Sequence, residues 1–322
     1  MKICLMVEGQ ENVTWDQWLA LAGACEQLGF DAMFRSDHYT SLSNRETPEG
    51  TLDAWATLAA LSGHTSTLRM GTLVSPVTFR HPSVLAKQVV TADHATGGRV
   101  ELGMGAGWNE HEHRAFGFPF PPARERFSIL EEQVEIVHRL WDRDEDEVTF
   151  EGSHYRLEAC RAFPKPVADP HPRLIIGGDA GPRSAALAAR WADEYNLTFE
   201  PPQGVAAARA RLDAACEAAG RDPATLPLSM MTLGLFGSDR AELEARAARL
   251  LKLTRNDRDP AGYVDAGGRE GAVVGTPDQV MQRLSELSGA GLARIMFQHL
   301  LHDDLDAVAL IGEQLIPAAA GV

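Results

Sequence analysis

Residues 99–118 read RVELGMGAGWNEHEHRAFGF. An apolar run, Arg99 to Met104, dissolves into glycines at alternate positions, Gly103, Gly105 and Gly107, and then into Trp108 and a polar segment with two histidines. A dinucleotide-binding turn needs glycine at position 108, and Trp108 fills that place. A metal site needs His111 and His113 on one side. Residues two apart share a side in a strand but lie on nearly opposite faces of a helix, and EHEHRAF reads as a loop or a starting helix. No metal is expected. What remains is a strand whose end is lined by glycine, where backbone approaches a flat ligand or turns tightly; plain barrel packing is the alternative.

The position of these glycines in the chain decides the fold. A doubly wound open sheet carries its nucleotide glycines after the first strand. Here the first apolar run, Lys2 to Val7, is followed by VEGQ with Gly9 alone. Working outward, strands are expected at Lys2–Val7, Asp31–Arg35, Leu68–Val74, Arg99–Met104, Leu174–Gly178, Glu194–Thr198, Leu228–Phe236 and Arg294–Gln298. Helical spacing fills the gaps: Thr14 caps a first helix that Gly29 ends, and Arg124–Trp141 keeps Leu130, Val134, Val137 and Trp141 on one face. VTFEGSHYRL at 148–157 alternates around Gly152-Ser153 and reads as an inserted hairpin. The stretch 254–272 reads as an irregular loop. Eight strand–helix units predict an α/β fold, a (β/α)8 barrel of one domain spanning 1–322, with a β-hairpin insertion at about 146–166 after the fourth helix.

In such a barrel the chemistry sits at the C-terminal ends of the strands. Glu8, Asp37-His38, Ser75, Gly105 to Glu110, Gly177-Gly178 and Gln298-His299 are therefore expected on one rim. A histidine there can donate to a substrate carbonyl or move a proton. LIIGGDAGPRSAAL at 174–187 is strand, glycine turn, then a helix with Pro182 at its start. Its free N–H groups and dipole suit a phosphate. Asp53, His64, His94, His154, His171 and His302 read as surface or structural.

Composition bounds the rest. The 322 residues carry a net charge of −15, which argues against nucleic-acid binding. No apolar run of about 18 residues offers a membrane span, and MKICLMVEGQ lacks the apolar region of a secretory signal. A cytoplasmic protein is expected. Cys4, Cys25, Cys160 and Cys216 have no zinc or CxxC spacing and read as free thiols.

At this point the residues carry a resemblance. GTLVSPVTFRHPSVLAKQVVTADHATGGRVELGMGAGWNEHEHRAFG, then PRLIIGGDAGPRSAALAARWADEYN and GTPDQVMQRL, resemble the luciferase-like monooxygenase superfamily, and within it the oxidoreductases that use the deazaflavin coenzyme F420. The resemblance runs from Lys2 to about Pro317. It implies a cofactor lying over the strand ends, held by Gly107, Asn109 and Glu110 and by Gly177, Gly178, Ala180 and Gly181. A non-proline cis peptide behind the ring is implied at Thr72–Leu73. His38 is implied as proton donor or acceptor, with Asp37 orienting it or the cofactor. One departure stands out: the superfamily's sugar-phosphate dehydrogenases keep a catalytic carboxylate after the last glycine of the fourth strand, where this chain has Trp108. That residue becomes an aromatic wall of the substrate pocket. The expectation is an F420-dependent oxidoreductase acting on a small organic substrate, as a homodimer. The alternatives are an FMN-dependent monooxygenase and a non-catalytic flavin-binding barrel. Substrate determinants are expected in 42–51 and 254–272.

Overall fold

The computed structural model describes residues 1–42 and 50–321. Eight parallel strands close a barrel: β1 (Lys2–Val7), β2 (Ala32–Arg35), β3 (Arg69–Pro76), β4 (Val100–Gly105), β7 (Arg173–Gly177), β8 (Glu194–Thr198), β9 (Leu228–Phe236) and β11 (Leu292–His299). They follow one another in that order, and β11 and β9 pair to join the two ends through β1 and β8. Four strands round the ring, β4 therefore faces β11 and β7 faces β1.

The near-continuous apolar strands follow from burial on both faces. In β1, Ile3, Leu5 and Val7 pack outward under the helices, while Cys4 and Met6 point inward beside Phe34, Ile175 and Met296. Below that apolar layer the interior is charged. Arg294 pairs with Glu101 at 2.7 Å, Asp31 at 2.8 Å and Glu194 at 3.1 Å. Arg69 and Arg173 reach Glu101 and Glu194 at 2.6 and 2.9 Å.

Helices α1 (Trp15–Gln27), α2 (Ala54–Leu61), α3 (Pro82–Thr96), α4 (Glu110–Phe116) and α5 (Ala123–Trp141) cover the first half. Thr14 caps α1 in a full capping box with Gln17, and Gly29 takes the left-handed φ of +75° that ends it. The inserted hairpin is present as β5 (Val148–Glu151) and β6 (Arg156–Cys160). Glu132 of α5 clasps its turn, accepting N–H bonds from Ser153, His154 and Tyr155 at 2.7–3.0 Å.

The second half is covered by α6 (Pro182–Trp191), α7 (Pro202–Ala218), α8 (Arg240–Leu253), α9 (Pro260–Asp265), α10 (Pro277–Gly289), α11 (Leu305–Leu310) and α12 (Ile316–Ala319). Two elements depart from the sequence reading. The stretch 254–272 is not wholly irregular: Asp259 caps α9, and Tyr263 buries itself against α8 and β9 residues. A short strand, β10 (Val273–Gly275), extends the edge of β9. Both are too short for periodicity to reveal. Of the stretch expected to read substrate, 43–49 lies outside the described residues. Cys4, Cys25 and Cys216 are buried free thiols and Cys160 is half-buried.

Candidate active site

A cavity of about 960 Å³ opens over the C-terminal strand ends. One wall is made by β3, β4 and β7. The ladder between β3 and β4 slips between Thr72 and Ser75, and this bulge carries a cis peptide at Leu73–Val74, one bond later than the expected Thr72–Leu73. Leu73 and Val74 line the cavity. Thr72 does not: it is fully buried, hydrogen-bonded to Ser75 Oγ at 3.1 Å.

The bulge accounts for the glycines. A Cβ on Gly103 would sit 2.4 Å from the Thr72 carbonyl oxygen, one on Gly105 2.7 Å from Val74 Cγ2, and one on Gly177 3.0 Å from Val74 Cγ1. Close approach is thus required by the neighbouring strand, which then presents Val74 and bare backbone as a flat surface. Gly107 is different: its φ of +79° is one that side chains resist.

The second glycine turn is organised by Tyr195. Its hydroxyl accepts the Ala180 N–H at 2.7 Å and donates to Ser184 Oγ at 2.9 Å. Ala180 is consequently buried behind the turn rather than facing the cavity, whereas Gly177, Gly178 and Gly181 line it. Helix α6 starts with Pro182 and has no side-chain cap, so its first N–H groups stay available to an anion. On the β4 side, Asn109 lines the cavity and caps α4 by accepting the Glu112 N–H at 3.3 Å. Glu110 points to solvent and pairs with Arg114, because at the first turn of α4 it falls on the outer face.

His38 lines the cavity at the end of β2. Its partner is Glu112, not Asp37. Glu112 Oε2 lies 2.8 Å from His38 Nδ1, and Glu112 Oε1 accepts the backbone N–H groups of Tyr39 and Thr40. Burial opposes charge on His38, but the hydrogen bond and charge of Glu112, helped by Glu8 and Asp37, raise its pKa above the ordinary imidazole value. Burial likewise opposes charge on Glu112, yet His38 and the two N–H donors hold its pKa below the ordinary carboxylate value. Each partner thus favours the charged form of the other. Asp37 instead takes a bidentate bond from Arg80 at 2.6 and 3.1 Å and the Ser75 hydroxyl at 2.7 Å, and it does not reach the cavity. Trp108, 64% exposed, stands edge-on to the His38 ring with centroids 5.7 Å apart.

His111 is exposed and His113 buried, on opposite faces of α4 as the spacing demands. Among the described residues no group of three His, Cys, Asp or Glu side chains could hold a metal. The site residue that sequence reasoning missed is Glu112. Its signal was present: Asn109 followed three residues on by Glu112 is an N-cap pattern that faces Glu112 back toward the strand ends. Glu8 and Gln298 were expected on the rim without a role, and both line the cavity floor.

The geometry defines a (β/α)8 barrel whose cavity fits a flat cofactor with an anionic tail: one wall is smooth, and two glycine turns and an uncapped helix start lie beside it. The chain belongs to the luciferase-like monooxygenase family, whose profile matches residues 3–294. It is 29% identical over 314 residues to an F420-dependent glucose-6-phosphate dehydrogenase of Nakamurella multipartita, covering 92% of this chain and 90% of that one. It is 31% identical over 261 residues to the F420-dependent hydroxymycolic acid dehydrogenase of Mycobacterium tuberculosis, covering 81% and 68%. The crystal structure of the monooxygenase RslO1 from Streptomyces bottropensis superimposes with a TM-score of 0.81 at 25% identity, covering 98% and 99%.

Proposed function

We propose that the protein is an F420-dependent oxidoreductase that moves a hydride between the deazaflavin and a small organic substrate. The observation that carries this reading is the cavity itself: a glycine-lined wall suited to a flat ring and a phosphate shares it with the hydrogen-bonded His38–Glu112 pair. The relatives whose names carry F420 support it. Bound there, the deazaflavin supplies a carbon that accepts or gives a hydride.

The chain's residues do the rest. Leu73 and Val74 would back the ring. Gly107, Asn109, Gly177, Gly178 and Gly181, with the start of α6, would hold the polar tail. Trp108 closes the mouth and helps to exclude water. His38, held protonated by Glu112, donates a hydrogen bond or a proton to a substrate oxygen. Reducing a substrate carbonyl, with hydride to its carbon and this proton to its oxygen, fits this arrangement; the reverse oxidation of an alcohol requires His38 neutral, so that it takes the O–H proton back.

We also infer one domain over 1–322, a homodimer and a cytoplasmic enzyme with no nucleic-acid partner. No helix among the described residues is long and apolar enough to cross a membrane. Sedimentation equilibrium tests the dimer. Fluorescence titration of the purified protein with F420 and with FMN tests the cofactor. Tight F420 binding is expected; binding of FMN alone, with oxygen consumed, would assign the monooxygenase chemistry named for RslO1 instead.

A further inference from the structure

The cavity also carries a carboxyl group to which the reading above gives no role. Glu8 directly follows β1, is 3% exposed and lines the cavity. Its Oε1 accepts an amide N–H of Gln298 at 2.6 Å and its Oε2 one of Gln10 at 2.8 Å. Gln10 is oriented in turn, because its own carbonyl oxygen accepts the Ser36 hydroxyl, and Ser36 Oγ accepts the Gly9 N–H at 3.1 Å. His38 interacts with the Glu8 carboxyl through charge. Each carboxylate oxygen can accept two hydrogen bonds, so each has a site open. A buried carboxyl with open acceptor positions calls for a donor from elsewhere.

The barrel says which ligand can bring it. β1 and β11 stand across the ring from β7 and β4. A flat ring backed by Val74 and the glycines would have Glu8 and Gln298 across the cavity from it. His38 Nδ1 is taken by Glu112, and Glu8 is the carboxyl on that side whose oxygens remain open to a donor. Trp108 supplies no acid from β4. Gln298 keeps its second amide hydrogen without a protein partner among the described residues. One acceptor beside one donor is what an alcohol oxygen requires.

We propose that Glu8, positioned by Gln298 and Gln10, is a substrate-binding residue that accepts the O–H of an alcohol substrate. This rests on the cofactor reading above. The body of that alcohol meets the apolar side chains of Phe199, Met231 and Trp108, which line the same cavity.

The test uses F420-loaded protein and two probes of similar shape, cyclohexanol and cyclohexyl methyl ether, titrated by ligand-observed NMR. Wild type is expected to prefer the alcohol by at least about tenfold, since a site built for a hydroxyl rejects the analogue lacking it. Glu8→Ala brings the two probes within about twofold, and Glu8→Gln, with shape kept and charge lost, narrows the preference by about threefold. The F420 affinity of both variants, read by fluorescence, stays at the wild-type value. Equal binding of the two probes by wild type overturns the proposal, as does an alcohol preference unchanged in Glu8→Gln. Loss of F420 affinity in Glu8→Ala also overturns it, by moving the carboxylate to the cofactor. Failure of wild type to bind F420 is a separate result that removes the cofactor reading and this one with it.

Discussion

Glu112 Oε2 lies 2.8 Å from His38 Nδ1, across 74 residues of sequence. The contact joins the first turn of α4 to the end of β2, and it fixes which ring nitrogen of His38 remains for the cavity.

Glu112→Gln should lower the His38 pKa toward its ordinary value, read by NMR titration of the ring. The pair should also leave a signature in stability. The folded pKa of His38 is raised, so its contribution is full below the ordinary imidazole value and is lost as pH rises through the higher folded value. That of Glu112 is lowered, so its contribution is full above the ordinary carboxylate range and is lost as pH falls through the folded value. The stability difference between wild type and variant is expected to be greatest between those limits, at about 3 kcal/mol. A flat difference across pH in thermal melts contradicts the pairing.

Gly105→Ala places a methyl group 2.7 Å from Val74 Cγ2. The bulge must then shift into the cavity. Overpacking of about 1–3 kcal/mol is expected in stability, with a weaker F420 affinity in the same variant. Normal melting together with normal F420 binding would show that the bulge yields freely.

Trp108 stands where the resemblance places an acid in sugar-phosphate dehydrogenases. The F420-loaded protein is expected not to oxidise glucose 6-phosphate, and Trp108→Ala is expected to widen the range of alcohols accepted while F420 affinity holds. Turnover of glucose 6-phosphate by wild type, followed by cofactor absorbance, would remove the significance given to this position.

Arg294→Ala leaves Glu101 and Glu194 buried beneath the barrel without their shared cation. A loss of about 3–5 kcal/mol is expected, measured by denaturant unfolding. Burial alone would raise the Glu101 pKa, but Arg294 and Arg69 hold it at about 2. Its stabilisation is therefore present above the ordinary carboxylate range and disappears as pH falls through that value. The variant should keep only the part of this acid dependence that Arg69 supplies through its 2.6 Å contact with Glu101, so that its stability falls less over that range.

Much of the fold was legible along the chain because each strand is a local apolar run and each helix a local period. β1 and β8 match the expected spans, VTFEGSHYRL forms the hairpin, and Thr14 caps α1 with Gln17. His38, Gly107, Trp108, Asn109, Gly177, Gly178 and Gly181 were all found at the cavity. Asp37, Glu110 and Ala180 were misplaced for one shared reason. Adjacent positions in a turn point in different directions, and only the packed partners, Arg80, Arg114 and Tyr195, show which way each one goes.

By itself the sequence determined the number and order of strand–helix units, the place of the glycines and the absence of an acid at 108. Tertiary closure decided the chemistry. It alone brings Gln298 to Glu8 over a separation of 290 residues and Glu112 to His38 over 74. It also shows that Gly103 and Gly105 make room for the β3 bulge. Which side chains meet depends on strand register and on the curvature that joins β11 to β1, and neither quantity is written in any local run of residues.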